Sequence, residues 1–244
     1  MKNQVYLVNK QAGETPLRAL ERLRKVKRLG SVSLTYAGRL DPMASGLVLV
    51  LAGKAIEKKE QYLSLPKTYE AVALLGFTSD SGDILGLAKK QNSKKFSSEN
   101  IRLAIYSLKG RVDMALPRYA SVPVNGKPLW VWARAGQIVK TPKRQSLIYS
   151  IRGVKIFSLP ESRLLSGIVS KISKVKGDFR QKNILEKWKK LLSGKTEKYV
   201  LVKFTVRCSS GTYIRSLAEF LGKRVGSGGI LYALKRTGIG KYKL

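Results

Sequence analysis

The chain has 244 residues, 43% of them hydrophobic, enough for one large domain or two small ones around an ordinary core. Forty-eight Lys and Arg against fifteen Asp and Glu give a net charge of +33, an excess that repels itself and calls for a polyanionic partner. No His and a single cysteine, Cys208, exclude His/Cys zinc sites, Ser–His and Cys–His catalysis and any disulfide within the chain.

The N-terminal stretch Met1–Asn9 reads as a strand through Val5–Val8, not as a signal peptide. Thr15 and Pro16 supply an N-cap and first position for a helix that carries Leu20, Leu23 and Val26 and stops at Gly30. Next comes Tyr36-Ala37-Gly38-Arg39-Leu40-Asp41-Pro42-Met43-Ala44-Ser45-Gly46, followed at once by the buried strand run Leu47–Leu51. Gly38 and Gly46 permit tight backbone conformations and Pro42 restricts φ immediately after the acid, so Asp41 reads as a carboxylate pinned on a stiff loop. The alternative is that Asp41 only caps the turn Pro42–Ser45. Gly53-Lys54-Ala55 lacks the spaced glycine and hydroxyl of a phosphate-binding loop, and no nucleotide cofactor is indicated.

A helix is expected around Ala55–Leu63, and Thr68–Leu75 alternates as a strand with Tyr69, Ala71, Ala73 and Leu75 on one face. Thr78–Asp83 is polar turn chemistry, and Ser98–Lys109 is expected to be helical. Pro117–Pro142 reads as an irregular or hairpin region around the turn pair Asn125-Gly126. Its cations alternate with Tyr119, Trp130 and Trp132, which suits unpaired bases that stack on rings while phosphates meet charge. Trp130 and Trp132, two apart, equally suit a partly buried strand. Leu159–Lys198 holds nine lysines and two arginines against four acids, with an apolar stripe at Ile184, Leu185, Trp188, Leu191 and Leu192. It reads as a basic insertion with one packed helix and a flexible lead-in.

Val200–Cys208 alternates strictly, with Val202, Phe204, Val206 and Cys208 on one side, which makes Cys208 an inert packed thiol. After Ser209-Ser210-Gly211 a helix buries Ile214, Leu217, Ala218 and Leu221. Arg215 lies in its first turn, where a cation opposes the helix dipole and so suggests a task beyond helix stability. Ile230–Tyr242 forms the final segment. No apolar stretch of 18 residues occurs. Nucleic acid is favoured over a membrane surface because the cations are spread along the whole chain. The expectation is a soluble cytoplasmic protein with one compact mixed domain spanning residues 1–244.

Three stretches together resemble the TruB family of tRNA pseudouridine synthases: Gly38–Gly46; Lys67-Thr68-Tyr69-Glu70 with Leu75–Asp80; and Cys208-Ser209-Ser210-Gly211-Thr212-Tyr213-Ile214-Arg215. Weaker echoes are Asn125–Leu129, Ala133–Gly136 and Tyr232-Ala233-Leu234-Lys235-Arg236. The likeness implies an α+β pseudouridine synthase fold, with a mixed, mainly antiparallel central sheet flanked by helices. It implies isomerisation of uridine in tRNA, at position 55 of the TΨC arm for the best-known members, without cofactor or metal. By the same resemblance Asp41 is the catalytic aspartate, which attacks C1′ or removes a sugar proton; either route uses the ionised carboxylate. Arg215 favours that charge and holds its orientation. Tyr69 packs on the target base, and Tyr213 and Leu234 are further pocket walls, although all three residue types also suit ordinary core packing.

Two departures follow. Tyr36 stands where the family usually has a His, and with ten residues after Leu234 the chain is expected to lack the C-terminal PUA domain of many members. The high charge and the segment 159–198 are expected to compensate for that module in a monomer. Another RNA site, an RNA-folding chaperone and a basic ribosome-associated protein stand as alternatives.

Overall fold

The computed structural model describes residues 4–91, 97–194 and 197–244. Met1, Lys2 and Asn3 of the expected first strand, and Lys195 of the basic segment, lie outside the described residues.

Strand β1 (Gln4–Lys10) leads to helix α1 (Pro16–Val26), whose N-cap Thr15 side chain accepts from the Arg18 amide. The helix stops short of Gly30, with Arg28 already at a positive φ of 50°. Strands β2 (Leu34–Ala37) and β3 (Ser45–Ala52) flank the Asp41 loop. A 3₁₀ turn (Gly53–Lys58) runs into α2 (Lys59–Ser64), where one helix was expected. Then come β4 (Lys67–Leu75), β5 (Phe77–Ser79), β6 (Ala88–Lys90), α3 (Ser98–Tyr106) and β7 (Gly110–Ala115).

The Asn125-Gly126 turn joins β8 (Pro123–Val124) to β9 (Lys127–Pro128), with φ of 50° and 77° at its two central residues. Both signs are those a tight hairpin needs to match strand twist. Trp130 and Trp132 do not lie on a strand: they belong to α4 (Leu129–Arg134), with Trp132 Nε1 donating to the Val124 carbonyl.

The long β10 (Lys143–Pro160) has its register broken around Gly153. The segment after it is not a flexible lead-in. Helix α5 (Glu161–Ser173) buries Leu164, Ile168 and Ile172, and α6 (Gln181–Leu191) buries Ile184 and Trp188. Their apolar stripes meet each other and Leu74, Phe77, Leu201 and Ile230, so a basic composition coexists with two packed helices. Strand β11 (Lys198–Cys208), α7 (Ile214–Arg224), β12 (Gly229–Ile239) and β13 (Tyr242–Lys243) complete the chain.

Among the described residues nine strands form one sheet in the order β1-β3-β12-β4-β11-β10-β7, with β2 also on β3 and β13 on β12. Every pairing is antiparallel except β12 with β3, so the sheet is mixed and mainly antiparallel, as expected. Paired residues point the same way. One face therefore gathers Tyr69, Ala71 and Ala73 of β4 with Val202, Phe204 and Val206 of β11 and Leu231 and Leu234 of β12. Helices α1, α3 and α7 cover that face through Leu20, Ile101, Ile105, Leu217 and Leu221. On the other face α5 and α6 cover one region, and the turn through Ile56 with Tyr62 of α2 covers Leu47, Leu49, Leu51 and Ile239.

The parallel contact of β3 with β12 rests on Gly46. Its φ is 114°, and a Cβ there would lie 2.3 Å from the Arg236 carbonyl oxygen, so only glycine lets the two backbones meet.

Candidate active site

Asp41 sits in the middle of the β2–β3 loop. Its backbone carbonyl closes the following turn, accepting from the Ala44 amide at 3.0 Å, and its carboxylate points instead at Arg215. The capping alternative thus fails for the side chain. Arg215, in the first turn of α7, is only 4% exposed. Its Nη2 donates to Asp41 Oδ1 at 3.2 Å, while its Nε lies 2.9 Å from Oδ2 as an ion-pair contact that makes no hydrogen bond. Nη1 donates to the Ser81 carbonyl and Nη2 also to that of Tyr119, so the guanidinium itself is pinned by backbone. Burial works against its charge, but Asp41 and then Asp83 outweigh that and raise its pKa above the usual value.

The pair opens into a cleft of about 220 Å³. Asp41, Tyr69, Tyr213, Arg215 and Leu234, the five residues singled out from sequence, all line it. Tyr69 and Leu234 project from β4 and β12 on the same face of the sheet; Tyr213 precedes α7, its ring 5.9 Å from the Arg215 guanidinium carbon. Burial pushes the Tyr69 phenol up despite the opposing charge of Arg236, so it holds its proton at neutral pH. Cys208 sits beneath, fully buried, its thiol pushed up by burial to about 11, in keeping with an inert packing role.

Two buried cations position the loop that carries Asp41. Arg236 donates to the carbonyls of Leu47, Arg39 and Gly38 at 2.7, 3.0 and 3.4 Å, and so ties both ends of the loop to β12. The Lys10 amine, with no exposed surface, reaches the Pro42 and Ala44 carbonyls together with those of Gln11 and Glu14. Burial lowers its pKa to about 8, against the pull of Glu14 and Asp41. These roles were not legible in a chain with forty-eight cations, because every Lys and Arg looks alike before burial is known. Arg236 lay inside a quoted motif, which was its only signal.

Asp83 was missed as well, within a segment read only as turn chemistry. It is almost wholly buried, accepts from Ser81 Oγ at 2.6 Å and the Leu85 amide at 3.0 Å, and lies 3.9 Å from Arg215 Nε. Burial raises its pKa to about 6, with Arg215 opposing. Tyr119 and Ser121 form another wall, where Arg39 Nη1 donates to Ser121 Oγ at 2.7 Å. The Arg180 guanidinium carbon lies 4.9 Å from the Tyr119 ring centroid while its Nη1 pairs with Asp80 at 2.9 Å. The segment 159–198 thereby touches the cleft wall. Among the described residues no cluster of His, Cys, Asp or Glu with the geometry of a metal site forms, and no helix is long and apolar enough to cross a membrane.

The site is thus a carboxylate–guanidinium pair in an aromatic cleft on one face of a mixed sheet. The chain superposes over 98% of its length, with a TM-score of 0.58 at 19% identity, on 49% of a chain in the crystal structure of a Cbf5–Nop10–Gar1 complex. A chain in an H/ACA ribonucleoprotein bound to a substrate RNA containing 2′-deoxyuridine gives a TM-score of 0.57. Residues 24–164 match the N-terminal domain of the TruB family pseudouridylate synthases. Similar curated proteins are tRNA pseudouridine synthase B of Aromatoleum aromaticum, 31% identical over 98% of the chain, and that of Francisella tularensis subsp. novicida, 30% identical over 99%. This chain belongs to the TruB family. It spans 64% of the length of the Aromatoleum protein and 67% of the Francisella one.

Proposed function

We propose that this chain converts uridine to pseudouridine in tRNA, at uridine 55 of the TΨC loop, with Asp41 as the catalytic carboxylate. The observation that carries the reading is the buried Arg215 guanidinium paired with Asp41, opening onto Tyr69 in a cleft walled by aromatic rings. The names of the curated relatives support the same reaction and substrate class.

In this reading the target nucleotide turns out of its loop into the cleft. Flipping costs a few kcal/mol, offset by stacking of the uracil on Tyr69 and contacts along the Tyr213 and Leu234 walls. Asp41, oriented by Arg215, meets the ribose and either attacks C1′ or takes a sugar proton. The C1′–N1 bond breaks, the uracil rotates and a C1′–C5 bond forms; Asp41 gives back the bond or the sugar proton it took, and the proton lost from C5 is matched by one gained at N1, so the product is an isomer of the substrate. No redox partner is required by that balance. The +33 charge supplies a sequence-tolerant grip on phosphates, and loop shape selects the site. The enzyme works as a cytoplasmic monomer on tRNA.

The test is incubation with an unmodified tRNA transcript, with pseudouridine mapped by carbodiimide-dependent reverse-transcription stops. A stop at the TΨC uridine, absent with Asp41→Asn while that variant still binds tRNA, is the expected result. Equal product from Asp41→Asn would overturn the assignment of the carboxylate.

A further inference from the structure

The sheet face opposite the cleft carries a strip that no helix covers. Tyr69 and Leu234 point into the cleft, so their neighbours Glu70 and Lys235 point away from it. The strand register sets out the rest of the strip. Lys203 of β11 stands between Val72 and Lys155, Thr205 between Glu70 and Arg152, and Arg207 between Thr68 and Ser150, while Lys235 lies on the far side of Glu70. Neighbouring strands are about 4.8 Å apart and alternate residues about 6.8 Å, so these five cations share a patch on the order of 14 Å across.

All five are exposed, and among the described residues none forms a salt bridge. Lys155 and Lys203 are direct cross-strand partners, an arrangement in which like charges disfavour the sheet. At one end the Arg207 guanidinium carbon lies 5.2 Å from the ring centroid of Tyr149, itself 39% exposed. Cations at strand spacing, one neighbouring acid and an exposed aromatic suit a phosphate backbone, and they do not suit an apolar partner.

We infer that this strip, through Arg152, Lys155, Lys203, Arg207 and Lys235, binds the phosphate backbone of a second stretch of the substrate RNA, away from the nucleotide held in the cleft. The inference rests on RNA as the partner and not on the isomerisation. It gives the unpaired charges a local use: each phosphate they neutralise releases counterions and tightens binding at low salt.

The experiment uses the full chain and an unmodified tRNA transcript. Lysine acetylation read by mass spectrometry should show Lys155, Lys203 and Lys235 protected by tRNA and unprotected by a hairpin of the TΨC arm alone. Replacing Arg152, Lys155 and Lys203 together with Thr, which suits strands, should lower the slope of log affinity against log salt by about 2–3. The single-turnover rate at saturating tRNA should not change. Equal acetylation with and without tRNA, equal protection by the hairpin, or protection by anionic phospholipid vesicles and not by tRNA would each overturn the inference. The footprint needs only the unaltered protein, so a variant that fails to fold leaves the test intact. Protection without pseudouridine formation would sink the proposed reaction and leave this surface standing; pseudouridine formed with the three lysines still reactive would do the reverse.

Discussion

Asp41 and Asp83 share one guanidinium: Arg215 Nε lies 2.9 Å from the first and 3.9 Å from the second. Their side chains are 31% and 6% exposed, so one faces the cleft and the other is sealed within the protein. Two carboxylates on one cation have different electrostatic consequences, and these lead to measurable effects.

Asp83 should impose a pH dependence on stability. Burial raises its pKa from 3.8 to about 6 in the folded chain. Between those values the unfolded chain has released the proton and the folded chain keeps it, so stability from this group falls as pH rises through that window. Urea denaturation at several pH values should show the native protein losing ground relative to Asp83→Asn from about pH 4 to about pH 6. Parallel profiles for the two proteins would count against the buried carboxylate.

Arg215→Lys should keep a positive charge and lose the guanidinium's fixed donors to Asp41, Ser81 and Tyr119, because an ammonium cannot reach all three from one rigid plane. Turnover on tRNA should fall by roughly 10²-fold through misplacement of the carboxylate, with binding nearly unchanged. Arg215→Met leaves two carboxylates without their cation and should lower stability by about 3–5 kcal/mol. Chemical denaturation and single-turnover assays on the same preparations separate these effects.

Tyr69→Phe should fold and bind tRNA as the native protein does, since the ring and its packing remain. If the hydroxyl assists loss of the C5 proton, the single-turnover rate should fall by about 10²–10⁴. Tyr69→Ala should in addition weaken binding by about 1–3 kcal/mol through lost stacking. An unchanged rate in Tyr69→Phe would confine Tyr69 to stacking.

Arg236→Met should act on the Asp41 loop from a distance. It leaves the Gly38, Arg39 and Leu47 carbonyls without the donors they now share, at about 1–3 kcal/mol for each one left unsatisfied. The expected result is a lower denaturation midpoint together with reduced kcat at unchanged KM. A lower midpoint with native kcat would restrict Arg236 to stability.

Local chemistry was most readable where pattern and turn residues agreed. The strict alternation from Val200 to Cys208 and the Asn125-Gly126 turn pair both appear as strands and a hairpin. Trp130 and Trp132 misled because a spacing of two suits a strand, whereas the chain turns into α4 directly after Pro128. Helix α5 was missed although Leu164, Ile168 and Ile172 recur at helical spacing, because the surrounding Lys, Ser and Gly residues suggested solvated chain. Strand β10 was hidden by Gly153, where the register shifts and the alternation breaks.

Sequence alone determined the chain's own charge of +33, the stiff setting of Asp41 between Gly38, Pro42 and Gly46, and the ordered motifs that mark the family. These depend on composition and on neighbours within a few residues. Tertiary structure alone decided that Arg215 meets Asp41 across 174 residues, and that Lys10 and Arg236 are buried clamps while Lys155 and Lys203 face solvent side by side. The physical reason is that a cation's role is set by its desolvation and by the acceptors around it. Strand register and helix packing create both, and neither is written in the spacing of charges along the chain.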